Sequence, residues 1–136
     1  MAFVLDASVA MAWCFEDEAT PASDAVLDRL RDDQALVPPL WSYEVANVMA
    51  AAERRGRLTE SQIAHLMALL HRLPINVDTA PVGIDATIAT ARIHRLSAYD
   101  AAYLALSERS GLPLATLDNA LAGAAADAGV LLVVPR

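Results

Sequence analysis

Short apolar runs alternate along the chain with longer segments in which apolar residues recur at helical spacing. Five runs have the length and continuity of buried strands: 2–5, 35–37, 75–77, 112–117 and 130–134. Helical spacing is found in seven segments: 7–15, 21–32, 40–54, 60–73, 82–95, 99–110 and 119–128. Two of these helices also carry start signals, Pro21 at a first helical position and a capping box formed by Thr59 and Gln62.

This alternation predicts a single α/β domain over residues 1–136, with a mainly parallel central sheet flanked by helices. Strands that are buried on both faces are continuously apolar, and this is typical of parallel sheets. Ligands bind such sheets outside the carboxyl ends of the strands. We therefore expect the chemistry of the protein at the positions where strands end.

Four carboxylates occupy such positions or nearby helix starts. Asp6 follows the first strand, Asp118 follows run 112–117, Asp100 opens an apolar helix, and Glu44 lies in the first turns of the helix that begins at Leu40. Acids placed against the core of a chain that is 56% hydrophobic are costly unless they are paired or bound to metal. Each acid alone also fits a helix cap or a favourable place near a helix start. The residues by themselves leave both interpretations open.

The charged residues exclude several classes of protein. All ten basic residues are arginine, and the net charge is −7. Without lysine, the chain has no phosphate-binding Gly-Lys-Ser/Thr loop and no Schiff-base amine. The same absence argues against two aspartate-based phosphotransfer classes that need a lysine, the haloacid-dehalogenase-like phosphatases and the response-regulator receivers. The acidic balance also lacks the broad basic surface of a duplex-binding protein.

The other possible metal ligands favour a site made of oxygen atoms. Cys14 is the only cysteine, and the three histidines, His65, His71 and His94, have no ligand spacing to one another. An oxygen-only site suits Mg²⁺ or Mn²⁺, whose bound waters can serve as nucleophiles at a phosphodiester. The lone thiol, the absence of a signal peptide and the lack of a run of ~20 apolar residues predict a cytoplasmic protein without a membrane segment.

Four sequence blocks resemble those of a known family. They are DASVAMAW at 6–13, YEVANV at 43–48, LSAYDAAYLAL at 96–106 and LATLDNAL at 114–121. Together they resemble a PIN domain, and most of all the VapC toxins of VapBC toxin–antitoxin pairs. The resemblance covers essentially the whole chain. It departs from the family at Asn119 and Ala120, where members often carry charged or basic residues.

The resemblance implies a metal-dependent ribonuclease. In that interpretation, four acids hold Mg²⁺ or Mn²⁺ and position the attacking water: Asp6, Glu44, Asp100 and Asp118. Three further residues match accessory polar positions of the family: the hydroxyls of Ser8 and Thr116, and Asn47 one helical turn beyond the glutamate. A simple cap, a strand residue and an inward-facing helix residue are the respective structural alternatives for these three.

The resemblance also implies partners. A VapC-type toxin cleaves RNA and is held inactive by a VapB-like antitoxin. The apolar residues around 40–49 and 63–70 predict a homodimer and an antitoxin-docking surface there. The arginines 54, 55 and 57 either contact RNA or an acidic partner, or form a solvated helix end. Two other functions remain open: a PIN nuclease of RNA processing, and a PIN-like binding module, whose mark would be the loss of acids.

Overall fold

Four short strands form the centre of the fold in the computed structural model, which describes residues 1–133. They are β1 (Ala2–Leu5), β2 (Gln34–Val37), β3 (Ile75–Val77) and β4 (Leu114–Ala115). All neighbouring strands are parallel, in the order β3-β2-β1-β4. The parallel α/β architecture is therefore confirmed, and β1 lies between two neighbours with its carboxyl end beside that of β4.

Helices connect and cover these strands. Within residues 1–133 there are seven: α1 (Ala7–Cys14), α2 (Pro21–Arg29), α3 (Leu40–Arg54), α4 (Glu60–Leu70), α5 (Ile84–His94), α6 (Ala98–Ser110) and α7 (Asn119–Asp127). The capping box between Thr59 and Gln62 is present, and Pro21 occupies the first turn of α2 as its position predicts. None of the helices described for residues 1–133 is long and apolar enough to cross a membrane.

The C-terminal strands are shorter than their apolar sequence predicts. Run 112–117 contributes only Leu114 and Ala115 to the sheet, and the described part of the last run, 130–133, contributes a single bridge from Leu132 to Leu114. Val134, the predicted end of the last strand, lies outside the described residues. Pro113 has no N–H for a strand ladder. Beyond Ala115, backbone N–H groups bond to side-chain hydroxyls instead of a neighbouring strand.

The core surrounds β1. Phe3, Val4 and Leu5 are completely buried, as are Tyr103 and Leu104 of α6, a helix that packs on β1. The continuously apolar strand is thus covered on both faces. Trp41 is buried in the core, and Trp13 packs against it. Cys14, the only cysteine of the sequence, is half-buried.

Candidate active site

The structure brings the four predicted acids to one edge of the sheet. Asp6 directly follows β1, and Asp118 caps α7 shortly after β4. Glu44 comes from α3 and Asp100 from the first turn of α6. Their charges act on one another: Asp118 raises the pKa of Asp6 and of Asp100, and Asp6 raises those of Glu44 and Asp100. The four acids therefore form one electrostatic cluster.

Asp6 is the most enclosed member of the cluster, with only 5% of its surface exposed. The Ser8 hydroxyl donates to its Oδ2 atom at 2.6 Å, and the Thr116 hydroxyl donates to the same atom at 2.8 Å. Asp6 stands at the N-cap position of α1, yet within residues 1–133 its side chain makes no capping hydrogen bond. Capping alone therefore does not account for this acid.

The same two hydroxyls join the ends of β1 and β4. Ser8 Oγ accepts the N–H of Leu117 at 3.0 Å, and Thr116 Oγ1 accepts the N–H of Asp118 at 3.0 Å. Each hydroxyl therefore donates to the carboxylate of Asp6 and accepts from the backbone beyond β4. The structure places these two accessory residues in the site, and neither acts merely as a cap or a strand residue.

The two helix-borne acids differ in how they are held. Asp100 is not the cap of α6, because Ser97 holds that position and accepts the Asp100 N–H at 3.1 Å. Glu44 is half-buried and accepts a hydrogen bond from the hydroxyl of Tyr103. Asn47, the third accessory residue, is exposed, so the alternative that it faces inward is wrong.

Asp118 combines both interpretations that its sequence position allowed. Its Oδ1 accepts the N–H of Leu121 at 3.0 Å, so it is the N-cap of α7. Its charge nevertheless raises the pKa values of Asp6 and Asp100, so it also belongs to the acidic cluster. The side chain of Asp118 therefore both caps α7 and belongs to the acidic cluster.

Tyr103 is a residue of the site that the sequence pattern did not reveal. It lies in the apolar stretch of α6 and reads there as a core residue, which its complete burial bears out. The signal that was available is chemical, since a buried tyrosine hydroxyl usually needs a hydrogen-bond partner. Burial and the neighbouring Glu44 raise the pKa of Tyr103 far above its ordinary value, so the hydroxyl stays protonated and donates.

No positively charged group of residues 1–133 forms an ion pair with the acidic cluster. Burial is the largest cause that raises the pKa values of Asp6, Glu44 and Asp100, and the negative neighbours add to it. Within residues 1–133, none of the ion pairs includes any of the four acids. Like charges that are buried or half-buried and that have no positively charged partner repel one another until protons or a cation bind.

The carboxylate oxygen atoms of the four acids suit a hard divalent cation, but the acids do not form a closed cage around one position. Within residues 1–133, no three His, Cys, Asp or Glu side chains stand as a ready metal-binding group. Mg²⁺ keeps several waters and is commonly bound through only one or two carboxylates, so a closed protein cage is not required. Asp6, with Glu44, Asp100 and Asp118 around it, supplies the oxygen atoms that such an ion prefers.

We expect the metal-free protein to lose stability as the pH rises. The folded pKa values of Asp6 and Asp100 lie above the ordinary 3.8, and that of Glu44 lies above 4.5. The folded state therefore binds more protons than the unfolded chain just above these values, and stability falls as the pH passes through the raised pKa values. Thermal unfolding in a chelator between about pH 5 and about pH 8 measures this trend.

Asp33 is an acid whose pKa is shifted in the opposite direction, so its effect on stability has the opposite dependence on pH. Hydrogen bonds from Arg29 and from the chain's amino terminus lower its pKa below 3.8, so its contribution changes only in more acidic solution. A melting temperature that rises steadily between about pH 5 and about pH 8 would contradict the expected uncompensated cluster.

Comparison with known proteins adds independent information. The family model described as PIN domain matches residues 3–127. Ribonuclease VapC3 of Pyrobaculum aerophilum is 32% identical over 124 residues, which are 90% of this chain and 93% of that protein. A crystal structure from Pyrobaculum aerophilum, PAE2754, has a TM-score of 0.72 at 22% identity, covering 91% of this chain and 84% of that one. A toxin–antitoxin complex from Klebsiella pneumoniae has a TM-score of 0.58 at 18% identity, covering 85% and 86%.

Proposed function

The chain belongs to the PIN-domain family and, within it, to the VapC group, and on this premise we propose that it is a metal-dependent endoribonuclease acting as the toxin of a type II toxin–antitoxin pair. The observation that carries the proposal is the uncompensated acidic cluster at the ends of β1 and β4. The relative named Ribonuclease VapC3 supports RNA as the substrate. One domain, over residues 1–136, accounts for this activity.

In this proposal the four acids bind Mg²⁺ or Mn²⁺. When bound, such an ion stabilises negative charge on the phosphate and lowers the pKa of a water molecule. Ser8 and Thr116 fix the orientation of Asp6, which is the most rigidly held of the acids. Glu44, Asp100 and Asp118 would add their carboxylates around the metal and orient the attacking water. Asn47 lies one turn beyond Glu44 on α3, where it is exposed and open to RNA.

The arginine cluster at the end of α3 divides into two parts. Arg57 lies over the ring of Phe15 at 4.4 Å and donates to Asp17 at 3.3 Å, so it ties the end of α3 to the segment after α1. All three arginines are exposed, but no hydrogen bond or ion pair of residues 1–133 involves the side chain of Arg54 or Arg55. We therefore assign RNA-backbone contact to Arg54 and Arg55 and not to Arg57.

Partner binding is a further part of the proposal. The fold is shared with a protein solved as a toxin–antitoxin complex, which supports a VapB-like antitoxin as the partner. The exposed apolar surface differs from the expected one: segments 40–49 and 63–70 expose mainly Tyr43 and Leu69. More of the exposed apolar surface lies on α5. Every residue of this helix is exposed or half-buried, and Ile84 is 78% exposed.

We assign the homodimer contact to this α5 surface. Ile84 and Ile88 lie one helical turn apart on the same side of α5, and both are exposed large apolar residues. A mass measurement in solution tests the homodimer separately from the activity. A cytoplasmic location belongs to the same proposal, because an unpaired thiol and an RNA substrate both suit that compartment.

Cleavage of RNA by the purified protein tests the function. We expect cleavage of cellular RNA in Mg²⁺ or Mn²⁺ and none in excess chelator, because the acids alone do not supply a metal-activated water. Sequencing the new RNA ends after induced expression identifies the cleaved molecules and distinguishes a toxin from an RNA-processing nuclease. A folded wild-type protein that leaves all RNA intact with both metals would refute the proposal and favour a non-catalytic binding module.

A further inference from the structure

The hydroxyl of Tyr103 occupies an unusual place in the core. Tyr103 lies three residues after Asp100 on α6, and its side chain is completely buried. The hydroxyl donates to the Oε1 atom of Glu44 on α3. The chain has two other tyrosines, and both are exposed: Tyr43 by 77% and Tyr99 by 63%. A phenylalanine would fill the same volume without the cost of burying a polar group, so the hydroxyl calls for a reason of its own.

The surroundings of Glu44 provide that reason. Its half-buried carboxylate faces the negative charges of Asp6 and Asp100. A glutamate side chain has several rotatable bonds, and repulsion from these neighbours favours conformations that turn it toward water. Within residues 1–133, the bond from Tyr103 is the only side-chain hydrogen bond that the Glu44 carboxylate receives. This bond opposes the repulsion and keeps the carboxylate within the cluster.

We propose that Tyr103 is a positioning residue of the metal site, whose buried hydroxyl holds the Glu44 carboxylate beside Asp6 and Asp100. The inference rests on the proposed function, since it gives Glu44 a metal to bind. Tyr103 acts through Glu44 and touches neither metal nor RNA. Hydroxyl groups thus donate to two acids of the cluster. Ser8 and Thr116 donate to Asp6, and Tyr103 donates to Glu44.

A rigid anchor of this kind matters more for Glu44 than for Asp6 or Asp118. Asp6 is held by two hydroxyls, and Asp118 is held by its bond to the backbone of α7. The side chain of Glu44 is longer than that of an aspartate. It reaches the cluster from α3, whereas Asp6 and Asp118 follow the strands β1 and β4 directly or closely. Partners that orient metal ligands typically change metal affinity or activity by about 10–100-fold when they are removed.

Substitution Tyr103→Phe tests the inference by removing only the hydroxyl. We expect Mn²⁺ affinity, measured by calorimetry on the full-length protein, to fall about tenfold or more. RNA cleavage should show a lower kcat with little change in KM, since RNA contact is retained. Tyr43→Phe is the matched control, because it removes an exposed hydroxyl next to Glu44 and should leave Mn²⁺ affinity unchanged.

A double-mutant cycle separates positioning from a general effect on the core. Once Glu44→Gln has removed the charge, adding Tyr103→Phe should lower Mn²⁺ affinity no further. Equal losses from Tyr103→Phe with and without Glu44→Gln would show a structural role and overturn the inference. Tyr103→Phe alone leaves the Glu44 carboxylate without its hydrogen-bond donor, which could prevent folding. The double variant has no carboxylate at position 44, so we expect it to fold even if Tyr103→Phe alone does not.

The failures of the two proposals are distinguishable. If the folded wild-type protein neither binds Mn²⁺ nor cleaves RNA, the proposed function fails, and the inference fails with it. If wild type does both and Tyr103→Phe matches it in Mn²⁺ affinity and in kcat, the inference alone is overturned.

Discussion

Asp6→Asn is expected to lower the rate of RNA cleavage about a thousandfold, because metal-assisted charge stabilisation contributes several kcal/mol and each ~1.4 kcal/mol is a factor of ten. The same variant should raise the melting temperature of the metal-free protein near neutral pH. Burial holds the pKa of Asp6 above its ordinary value, so the ionised carboxylate opposes folding there and the neutral amide does not. Single-turnover cleavage and thermal unfolding in a chelator measure the two effects.

Asp32→Asn is the matched control for this experiment. Asp32 is an exposed acid in the turn between α2 and β2, away from the cluster, and its replacement should leave cleavage at the wild-type rate. Wild-type cleavage by Asp6→Asn with added Mg²⁺ would remove Asp6 from the catalytic assignment. A fall in the metal-free melting temperature would instead restore the interpretation of Asp6 as a structural residue.

Thr116→Val should weaken Mn²⁺ binding and RNA cleavage by about 10–100-fold, the range typical of partners that orient metal ligands. Valine has nearly the same shape, but it removes the donor to Asp6 at 2.8 Å and the acceptor of the Asp118 N–H at 3.0 Å. Thr116 is only 6% exposed, so water replaces these bonds poorly. The unpaired groups should also destabilise the protein by about 1–3 kcal/mol.

Calorimetry with Mn²⁺ and denaturant unfolding measure these losses, and Thr116→Ser separates their causes. Serine keeps the hydroxyl and removes one methyl group, so most of the metal affinity should return while a small packing loss remains. If valine and serine behaved alike, the hydroxyl would have no role in orienting Asp6, and Thr116 would be an ordinary residue of the strand end.

Local patterns predicted the secondary structure well because the forces that set it are local. Helical spacing, Pro21 and the Thr59 capping box identified helices whose ends lie within about three residues of the observed ones. Continuous apolar runs indicated parallel strands, and the strand-end rule placed Asp6 and Asp118 at one sheet edge. The length of β4 was overestimated because hydrophobicity does not register that Pro113 and the hydroxyls of the site interrupt the ladder.

The interior of the site required the three-dimensional structure. The Tyr103–Glu44 bond joins residues 59 positions apart, and the Thr116–Asp6 bond joins residues 110 apart, so neither contact leaves a local trace. In the sequence, Tyr103 resembles any aromatic core residue. The exposed surface shows the same limit: α5 has apolar residues at many positions, and only packing decides which of them remain in contact with solvent.

The pairing of β1 with β4 has a consequence for the cell that makes the protein. A ribosome adds Asp6 110 residues before its partner Thr116, and it adds the acid Asp118 later still. Domains fold as units as the nascent chain emerges, so a partial chain that ends before β4 lacks half of the strand-end site. A growing chain that has not yet reached Asp118 would therefore lack the proposed metal site and, on the proposed function, would not cleave the RNA of its own ribosome.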